Sequence, residues 1–262
     1  YIEGGWPGSN PKDAEFFKKV RDVTFDKARV AVFGSTRRVG ILAENDNNLT
    51  MLVDTGASVA TLVAKTSDLQ VERVLNTTLE ENLGMIRDSV EYLKGKGLTV
   101  FVDAEHYFDG FKSNPDYAVE CLKTAAEAGA ECLVLCDTNG GALPDEVIKA
   151  VTAAKQATDV ALGIHTHNDG GMAIANSLIA VQAGVTQVQG TINGYGERCG
   201  NANLSVIIPA LKLKMGIDCV TDEQLARLTE VSHYVSEAAN QIPDPFSPYV
   251  GASAFSHKAG YH

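Results

Sequence analysis

Two patterns of hydrophobic and polar positions alternate along the chain of 262 residues. Short runs that are apolar almost throughout are typical of strands covered on both faces. Seven such runs predict seven strands, at Tyr1–Gly4, Arg29–Gly34, Val59–Ala64, Leu98–Asp103, Cys132–Cys136, Val160–His165 and Gln187–Thr191. Between them, apolar residues recur at steps of three or four, as at Leu79, Leu83 and Ile86, which predicts amphipathic helices.

The spacing of the strands predicts a parallel α/β fold. They recur roughly every thirty residues, the length of one strand–helix unit, and repeated units of this kind form either an open sheet or a closed barrel. Polar residues follow most of the strands: Glu3, Ser35–Arg37, Asp103, Glu105, Asp137–Asn139, His165, His167 and Asn193. A barrel gathers such residues around one mouth, so their spread favours a TIM (β/α)8 barrel. Because seven strands are one fewer than eight, we predict that the first strand–helix unit is missing before Tyr1.

The character of the sequence changes after Cys219. Residues Thr221–Asn240 have the apolar spacing of one long amphipathic helix. The next segment, "QIPDPFSPY", contains three prolines and predicts a stiff extended connector. We therefore predict two parts: a catalytic barrel at residues 1–218, and at residues 219–262 a helix and linker that begin a C-terminal subdomain.

Composition narrows the possible partners and the location. The net charge is −11 and no basic cluster is present, which argues against nucleic acid and anionic membranes as partners. No apolar run approaches the roughly 18 residues that span a bilayer. The five cysteines show no CxxC spacing, and their odd number is typical of reduced thiols in a cytoplasmic protein.

The segment "GIHTHNDGG" contains the clearest candidate for a metal site. Residues two positions apart in a strand point the same way, so His165 and His167 could converge on one divalent ion. The alternative is that two polar residues fall in a turn by chance. The position of the pair at the end of a predicted strand favours metal binding.

A glycine-rich loop follows the next strand, in "GTINGYGERCGNANL". Its glycines predict an irregular, tight turn. The spacing fits neither the dinucleotide-binding pattern nor the P-loop pattern, which makes a phosphate loop a weak interpretation. The loop could instead carry an oxygen ligand to the same metal, and the spacing alone leaves both interpretations open.

Taken together, "HTHNDGGMAIANS" and "GTINGYGERCGN" resemble the paired signature of the metalloenzyme barrels that condense acyl-CoA thioesters. This family includes the 2-isopropylmalate, homocitrate and citramalate synthases, with the hydroxymethylglutaryl-CoA lyases as relatives. The segments "YIEGGWPGSNPKD", "FGSTRR", "DAEHYFDGFK" and "CDTNGG" resemble the citramalate synthase branch in particular. The resemblance extends over the whole chain.

The resemblance implies a divalent metal ion (Mg²⁺, Mn²⁺, Co²⁺ or Zn²⁺) bound by His165, His167 and Asn201. The family's first-strand motif, which supplies an Asp ligand and an Arg that holds the oxo acid, has no counterpart in this sequence. The same resemblance implies that Thr138 binds the carboxylate of the acceptor. It also implies that Glu105 lies beside the acceptor as a catalytic carboxylate.

Other candidate residues follow from the resemblance or from their position. Asp103 shares the strand face of Glu105, and Glu3 takes a supporting role in substrate binding. Arg37 could bind the phosphates of coenzyme A, or it could be a loop residue with no role in binding. The resemblance also implies that His257 acts as a base on the thioester methyl group, reaching into the neighbouring subunit of a homodimer.

The predicted function is therefore a metal-dependent acyltransferase that condenses acetyl-CoA with a small 2-oxo acid and releases coenzyme A. Pyruvate is the favoured acceptor and citramalate the favoured product. The alternatives are a 2-isopropylmalate or homocitrate synthase, a lyase that runs the reverse condensation, and a fragment without activity. Cys199 motivates the lyase alternative, because the related lyases use a cysteine in this loop.

Overall fold

Seven parallel strands form one sheet within residues 1–258, which the computed structural model describes. They follow one another in the sheet in the order in which they occur in the chain. The strands are β1 (Ile2–Glu3), β2 (Val30–Ser35), β3 (Val59–Lys65), β4 (Thr99–Glu105), β5 (Cys132–Asp137), β6 (Ala161–Thr166) and β7 (Gln187–Gln189). Each of the seven predicted strands is therefore present, and the bounds differ by a few residues at most.

Helices connect the strands and cover the outer face of the sheet. They are α1 (Pro11–Val20), α2 (Asn47–Asp54), α3 (Asp68–Gln70), α4 (Leu79–Gly95), α5 (Tyr107–Ser113), α6 (Pro115–Glu127), α7 (Pro144–Ala157), α8 (Ala173–Gln182), α9 (Leu204–Pro209), α10 (Asp222–Ala226) and α11 (Leu228–Ala238). Single-turn 3₁₀ or π segments lie at Ala43–Asn45, Val71–Leu75, Ile192–Gly194, Ala210–Lys214 and Ala252–Phe255.

The sheet curls into an incomplete barrel, as predicted. Strands β1 and β7 are its two edges, and among the described residues they are not paired with each other. A small apolar cluster fills the concave interior: Ala31, Val59, Phe101, Cys132, Val134 and Cys136. The curvature brings β7 opposite β4, because the side chain of Gln189 reaches that of Asp103 across the interior.

A larger apolar core lies between the sheet and the helices. Leu62, Val100 and Leu133 of the sheet pack there with Ile86 of α4 and Val151 of α7, and all five are fully buried. Apolar burial contributes about 25 cal/mol per Å², so this layer supplies most of the stabilisation. It also fixes the register of the strands, and thereby the places where their carboxyl ends emerge.

Proline and glycine mark the ends of several helices. Pro115 and Pro144 occupy the first turns of α6 and α7, where a missing backbone N–H costs nothing. Gly129 and Gly184 follow α6 and α8 with φ of 100° and 106°, which residues with a Cβ rarely adopt.

The prediction of one long helix at Thr221–Asn240 is wrong, because the chain forms two helices there. Arg227, with φ −87° and ψ 0°, ends α10 with a tight turn and precedes α11. The apolar residues Leu225 and Leu228 on either side of this turn are three positions apart. That spacing suits a continuous helix and a turn equally well, so the hydrophobic pattern could not reveal the break.

The predicted extended connector is wrong as well. The proline-rich segment folds into turns, in which Asp244 accepts a hydrogen bond from the backbone of Phe246 through its side chain and from that of Ser247 through its carbonyl. An aspartate that bonds the backbone two residues on stabilises a turn, and this outweighs the extended preference of the neighbouring prolines.

Two further predictions depend on the whole chain. The division into residues 1–218 and 219–262 stays a prediction, and the last four positions of the second part lie outside the described residues. Within residues 1–258, no helix combines the length and the apolar character needed to cross a membrane.

Candidate metal site at the carboxyl ends of the strands

Two histidines converge where β6 ends. His165 lies within β6 and His167 follows it directly, and their Nε2 atoms are 3.3 Å apart. Two nitrogens bound to one ion at about 2.1 Å, with an angle between about 90° and 109°, are about 3.0–3.4 Å apart. The observed separation therefore suits two ligands of a single cation.

The side chain of Asn201 offers an oxygen beside this pair. Asn201 forms an isolated antiparallel bridge with His167, and its amide nitrogen donates to the carbonyl of Tyr195 over 3.1 Å. Its Oδ1 is buried and has no hydrogen-bond partner. A buried acceptor without a partner costs about 1–3 kcal/mol, and a bound cation would remove this cost.

These donors fit a divalent ion, although they are few. Two imidazole nitrogens and one amide oxygen suit the N/O sites of first-row divalent metals. Within residues 1–258, no group of three or more His, Cys, Asp and Glu side chains forms a metal site by itself. The amide oxygen of Asn201 is therefore an essential part of the predicted ligand set.

Burial favours the neutral form of both histidines, which is the form that binds metal. It lowers the pKa of His165, with His167 as a further cause. It also lowers the pKa of His167, to which the nearby Arg198 contributes. A neutral imidazole has a free lone pair, whereas a protonated imidazole would have to lose its proton before it could bind a cation.

A chain of hydrogen bonds runs from His165 across the barrel interior. Nδ1 of His165 is 2.8 Å from Oε1 of Gln189, and Nε2 of Gln189 donates to Oδ1 of Asp103 over 2.9 Å. Gln189 was not among the residues predicted for the site. Its alternation with Gln187 in "QVQ" was visible in the sequence, but the strand register that pairs it with His165 was not.

Three acidic residues surround the mouth of the barrel. Burial raises the pKa of Asp103 well above its usual value, and the neighbouring Glu3 adds to the shift. The protein atoms around Glu3 raise its pKa to about 7, although part of this residue is exposed to water. Glu105 forms an ion pair with Lys65, its register partner on β3, and so has a cation beside it that the sequence did not indicate.

Thr138 and Arg198 connect the loops around the mouth. The hydroxyl of Thr138 accepts a hydrogen bond from the backbone of His106 over 2.8 Å. Arg198 donates to the carbonyl of Thr138 and forms an ion pair with Asp169. The loops that follow β5, β6 and β7 are thereby joined on one side of the two histidines.

The structure does not bring Arg37 to this group of residues. Its side chain is buried and forms ion pairs of 2.8 Å with Glu81 and Asp88, both on α4. Its backbone N–H also donates to the hydroxyl of Ser89. Through these contacts, Arg37 links the loop after β2 to α4. Its guanidinium is already paired with two carboxylates.

His257 lies near the end of the described residues, just after the 3₁₀ turn at Ala252–Phe255, and it is exposed. Its predicted role as a base stays a prediction.

Helix α11 is attached to the glycine-rich loop by a buried polar cluster. Asn193, which has φ of 65°, donates to Ser232 and Ser236 and accepts from the hydroxyls of Ser205 and Ser232. Tyr195 contacts Ser236 through its hydroxyl over 3.0 Å. The loop that carries Asn201 is therefore held in place by the helix that follows the barrel.

Comparison with known proteins identifies the class. The HMGL-like family matches residues 1–235. Hydroxymethylglutaryl-CoA lyase from Pseudomonas aeruginosa superposes with a TM-score of 0.73, over 97% of this chain and 83% of the lyase, at 16% identity. The chain belongs to the HMGL-like family.

Its more similar relatives lie among the synthases of that family. The (R)-citramalate synthase of Geobacter sulfurreducens is 54% identical over the whole chain, and that of Streptomyces coelicolor is 51% identical. The 2-isopropylmalate synthase of Sulfolobus acidocaldarius is 36% identical and is matched over 64% of its length. The chain spans about half the length of the citramalate synthases that it matches.

Proposed function

We propose that this chain is the catalytic region of an enzyme that condenses acetyl-CoA with pyruvate to form citramalate and releases coenzyme A. The observation that carries the proposal is the 54% identity to a citramalate synthase over the entire chain. The 36% identity to a 2-isopropylmalate synthase makes a longer acceptor the weaker choice.

In the proposed site, His165, His167 and Asn201 hold the divalent ion. When bound, such an ion supplies a Lewis acid that polarises the oxo group of the acceptor. Thr138 directly follows Asp137, whose carbonyl accepts a hydrogen bond from the backbone of His167, and we propose that Thr138 binds the acceptor carboxylate. Burial of Asp103 raises its pKa, which favours the neutral acid and so lowers its repulsion of an anionic acceptor.

The condensation needs one proton removed and one added. The thioester methyl group loses a proton, its carbon bonds to the oxo carbon of pyruvate, and the oxo oxygen takes up a proton. Water then cleaves the thioester and releases the coenzyme A thiol. We propose His257 of a neighbouring subunit as the base, and the ion pair of Glu105 with Lys65 as the polar group beside the acceptor.

Release of free thiol from acetyl-CoA tests the proposal. Purified, metal-supplemented protein is assayed with pyruvate, 2-oxoisovalerate and 2-oxoglutarate, with His165→Ala as the inactive control. We expect release that depends on pyruvate and is lost in the variant. Preference for another acid would overturn the choice of acceptor, and absence of release with all three would overturn the proposed reaction.

The lyase reaction is distinguished in the same preparation. Cleavage of a hydroxymethylglutaryl thioester to acetyl-CoA, without condensation of pyruvate, would place the chain with the lyases of the family. We expect no such cleavage.

A further inference from the structure

We infer that Gln189 is a positioning residue, which fixes the tautomer and the orientation of His165 by linking it to Asp103 across the barrel interior. The inference rests on the proposed metal site. It assigns to Gln189 a task that the residues which contact the ion do not perform.

The first step is the position of Gln189 in the sheet. Its register partner on β6 is His165, and side chains of paired residues on neighbouring parallel strands lie side by side on the same face, about 4.8 Å apart. An amide at this position therefore meets the imidazole edge without any loop movement. The distance of 2.8 Å between Oε1 and Nδ1 is that of a full hydrogen bond.

The second step is the direction of the hydrogen bonds. Asp103 is buried, and its Oδ1 accepts from the amide nitrogen of Gln189 over 2.9 Å. That contact turns the amide so that its oxygen faces His165. An oxygen can only accept, so Nδ1 of His165 must carry the proton and Nε2 must carry the free lone pair.

The third step concerns where that lone pair points. Nε2 of His165 is the atom that lies 3.3 Å from Nε2 of His167, on the side of the predicted ion. A partner on the other ring nitrogen fixes the tautomer of a metal-binding histidine, and loss of such a partner typically weakens metal binding by about tenfold to a hundredfold.

His167 provides an internal contrast. Its Nδ1 is buried and has no hydrogen-bond partner. The bridge between His167 and Asn201 joins their backbones and gives this ring nitrogen no partner. Of the two imidazoles, only that of His165 has its tautomer fixed by hydrogen bonds, and these run through Gln189 to Asp103.

The inference is tested first on Gln189→Leu, with Gln187→Leu as the matched control. Gln187 lies on the same strand and the same face, and its Oε1 contacts the thiol of Cys132 and not a histidine. Isothermal titration calorimetry with Zn²⁺ alone gives the affinity of each protein. We expect a loss of about tenfold to a hundredfold for Gln189→Leu. The control should stay close to the wild type, and equal losses in the two variants would overturn the inference.

A second measurement needs no substitution and no metal. Nitrogen-15 NMR of the histidine rings in the metal-free wild type reports which nitrogen of His165 carries the proton. We expect the proton on Nδ1. A proton on Nε2 would overturn the inference even if Gln189→Leu fails to fold.

A double variant exchanges the donor and the acceptor between positions 189 and 103, and it keeps a continuous line of hydrogen bonds to His165. Gln189→Glu alone places two carboxyl groups against each other and should weaken Zn²⁺ binding. Combined with Asp103→Asn, it restores an acceptor for His165 and a donor behind it, so Zn²⁺ affinity should recover towards the wild-type value. Failure to recover would argue against the polar chain. Pyruvate-dependent thiol release by the wild type is measured separately, so failure of the proposed function would show there.

Discussion

The candidate site has two halves that are built in different ways. The strand-borne half consists of His165, Gln189 and Asp103, which lie within β6, β7 and β4 and are joined by hydrogen bonds across the interior. The loop-borne half consists of His167 and Asn201, which lie just beyond the strands and meet through one isolated bridge.

The two halves differ in how completely their polar atoms are satisfied. In the strand-borne half, the sheet register brings Gln189 to His165 and the curvature of the sheet brings Asp103 to Gln189, so each of these contacts has a donor and an acceptor. In the loop-borne half, Nδ1 of His167 and Oδ1 of Asn201 are buried without partners. The strands therefore prepare one ligand fully, whereas the loop presents Oδ1 of Asn201 as a buried acceptor whose cost of burial a bound cation would relieve.

Removal of either histidine should give the largest effect. We expect His165→Ala and His167→Ala each to weaken Zn²⁺ binding by at least about a hundredfold, more than the usual loss of an outer partner. His233→Ala, on the exposed face of α11, is the control and should bind as the wild type does. Calorimetry gives the three affinities, and wild-type affinity in either ligand variant would break the assignment of that half.

The loop-borne half can be disturbed by itself through Gly200. This residue has φ of 89°, and a Cβ there would lie 2.2 Å from the carbonyl oxygen of Gly194. Gly200→Ala should therefore lower the free energy of unfolding by about 3 kcal/mol and weaken Zn²⁺ binding, while His165 keeps its tautomer.

The matched control for this change is Gly95→Ala, at the end of α4. A Cβ there meets nothing within 4 Å, so stability should rise slightly, by about 0.5 kcal/mol. Urea denaturation measures both variants. A Gly200→Ala protein as stable as the wild type would show that the loop can adjust, contrary to this comparison.

Substitution of Arg37, which lies outside both halves of the site, tests whether this residue has a structural role only. Arg37→Met leaves Glu81 and Asp88 without their buried partner, and because these carboxylates are partly exposed we expect a modest loss of about 2 kcal/mol in unfolding free energy. Zn²⁺ affinity and the KM for acetyl-CoA should not change. A raised KM with unchanged stability would instead support binding of coenzyme A phosphates by Arg37.

The last prediction concerns the pH dependence of the stability of the strand-borne half. The pKa of Asp103 is raised in the folded state, so the folded protein binds its proton more tightly than the unfolded chain does. Its contribution to stability is present at low pH and is lost as pH rises through the folded pKa. The slope is at most about 1.4 kcal/mol per pH unit.

The control for this pH effect is Asp103→Asn, which cannot titrate. Its unfolding free energy, measured without metal from pH 4 upwards, should fall less with rising pH than that of the wild type. Parallel curves for the two proteins would contradict the effect of burial on Asp103.

Sequence patterns were enough to predict the strand-borne framework but not its side-chain contacts. Seven apolar runs predicted the strands, because each is covered on both faces and reads as continuously hydrophobic. The contact between Gln189 and Asp103 joins residues that are 86 positions apart, and only the curvature of the sheet brings them together. The ion pairs of Arg37 and Lys65 depend on register and helix packing in the same way.

The structure of residues 221–249 was predicted less well, because local turn geometry determines the path of the backbone there. The turn at Arg227 leaves the apolar spacing of a helix intact, and Asp244 turns a proline-rich segment that reads as extended. Both features depend on backbone angles and on one side-chain hydrogen bond, which a hydrophobic pattern does not record.

The polar cluster around Asn193 makes the docking of α11 and the ligand loop interdependent. Asn193 bonds Ser232 and Ser236 of the helix, and it lies in the same loop as Asn201. The position of Asn201 and the attachment of α11 therefore depend on the same loop.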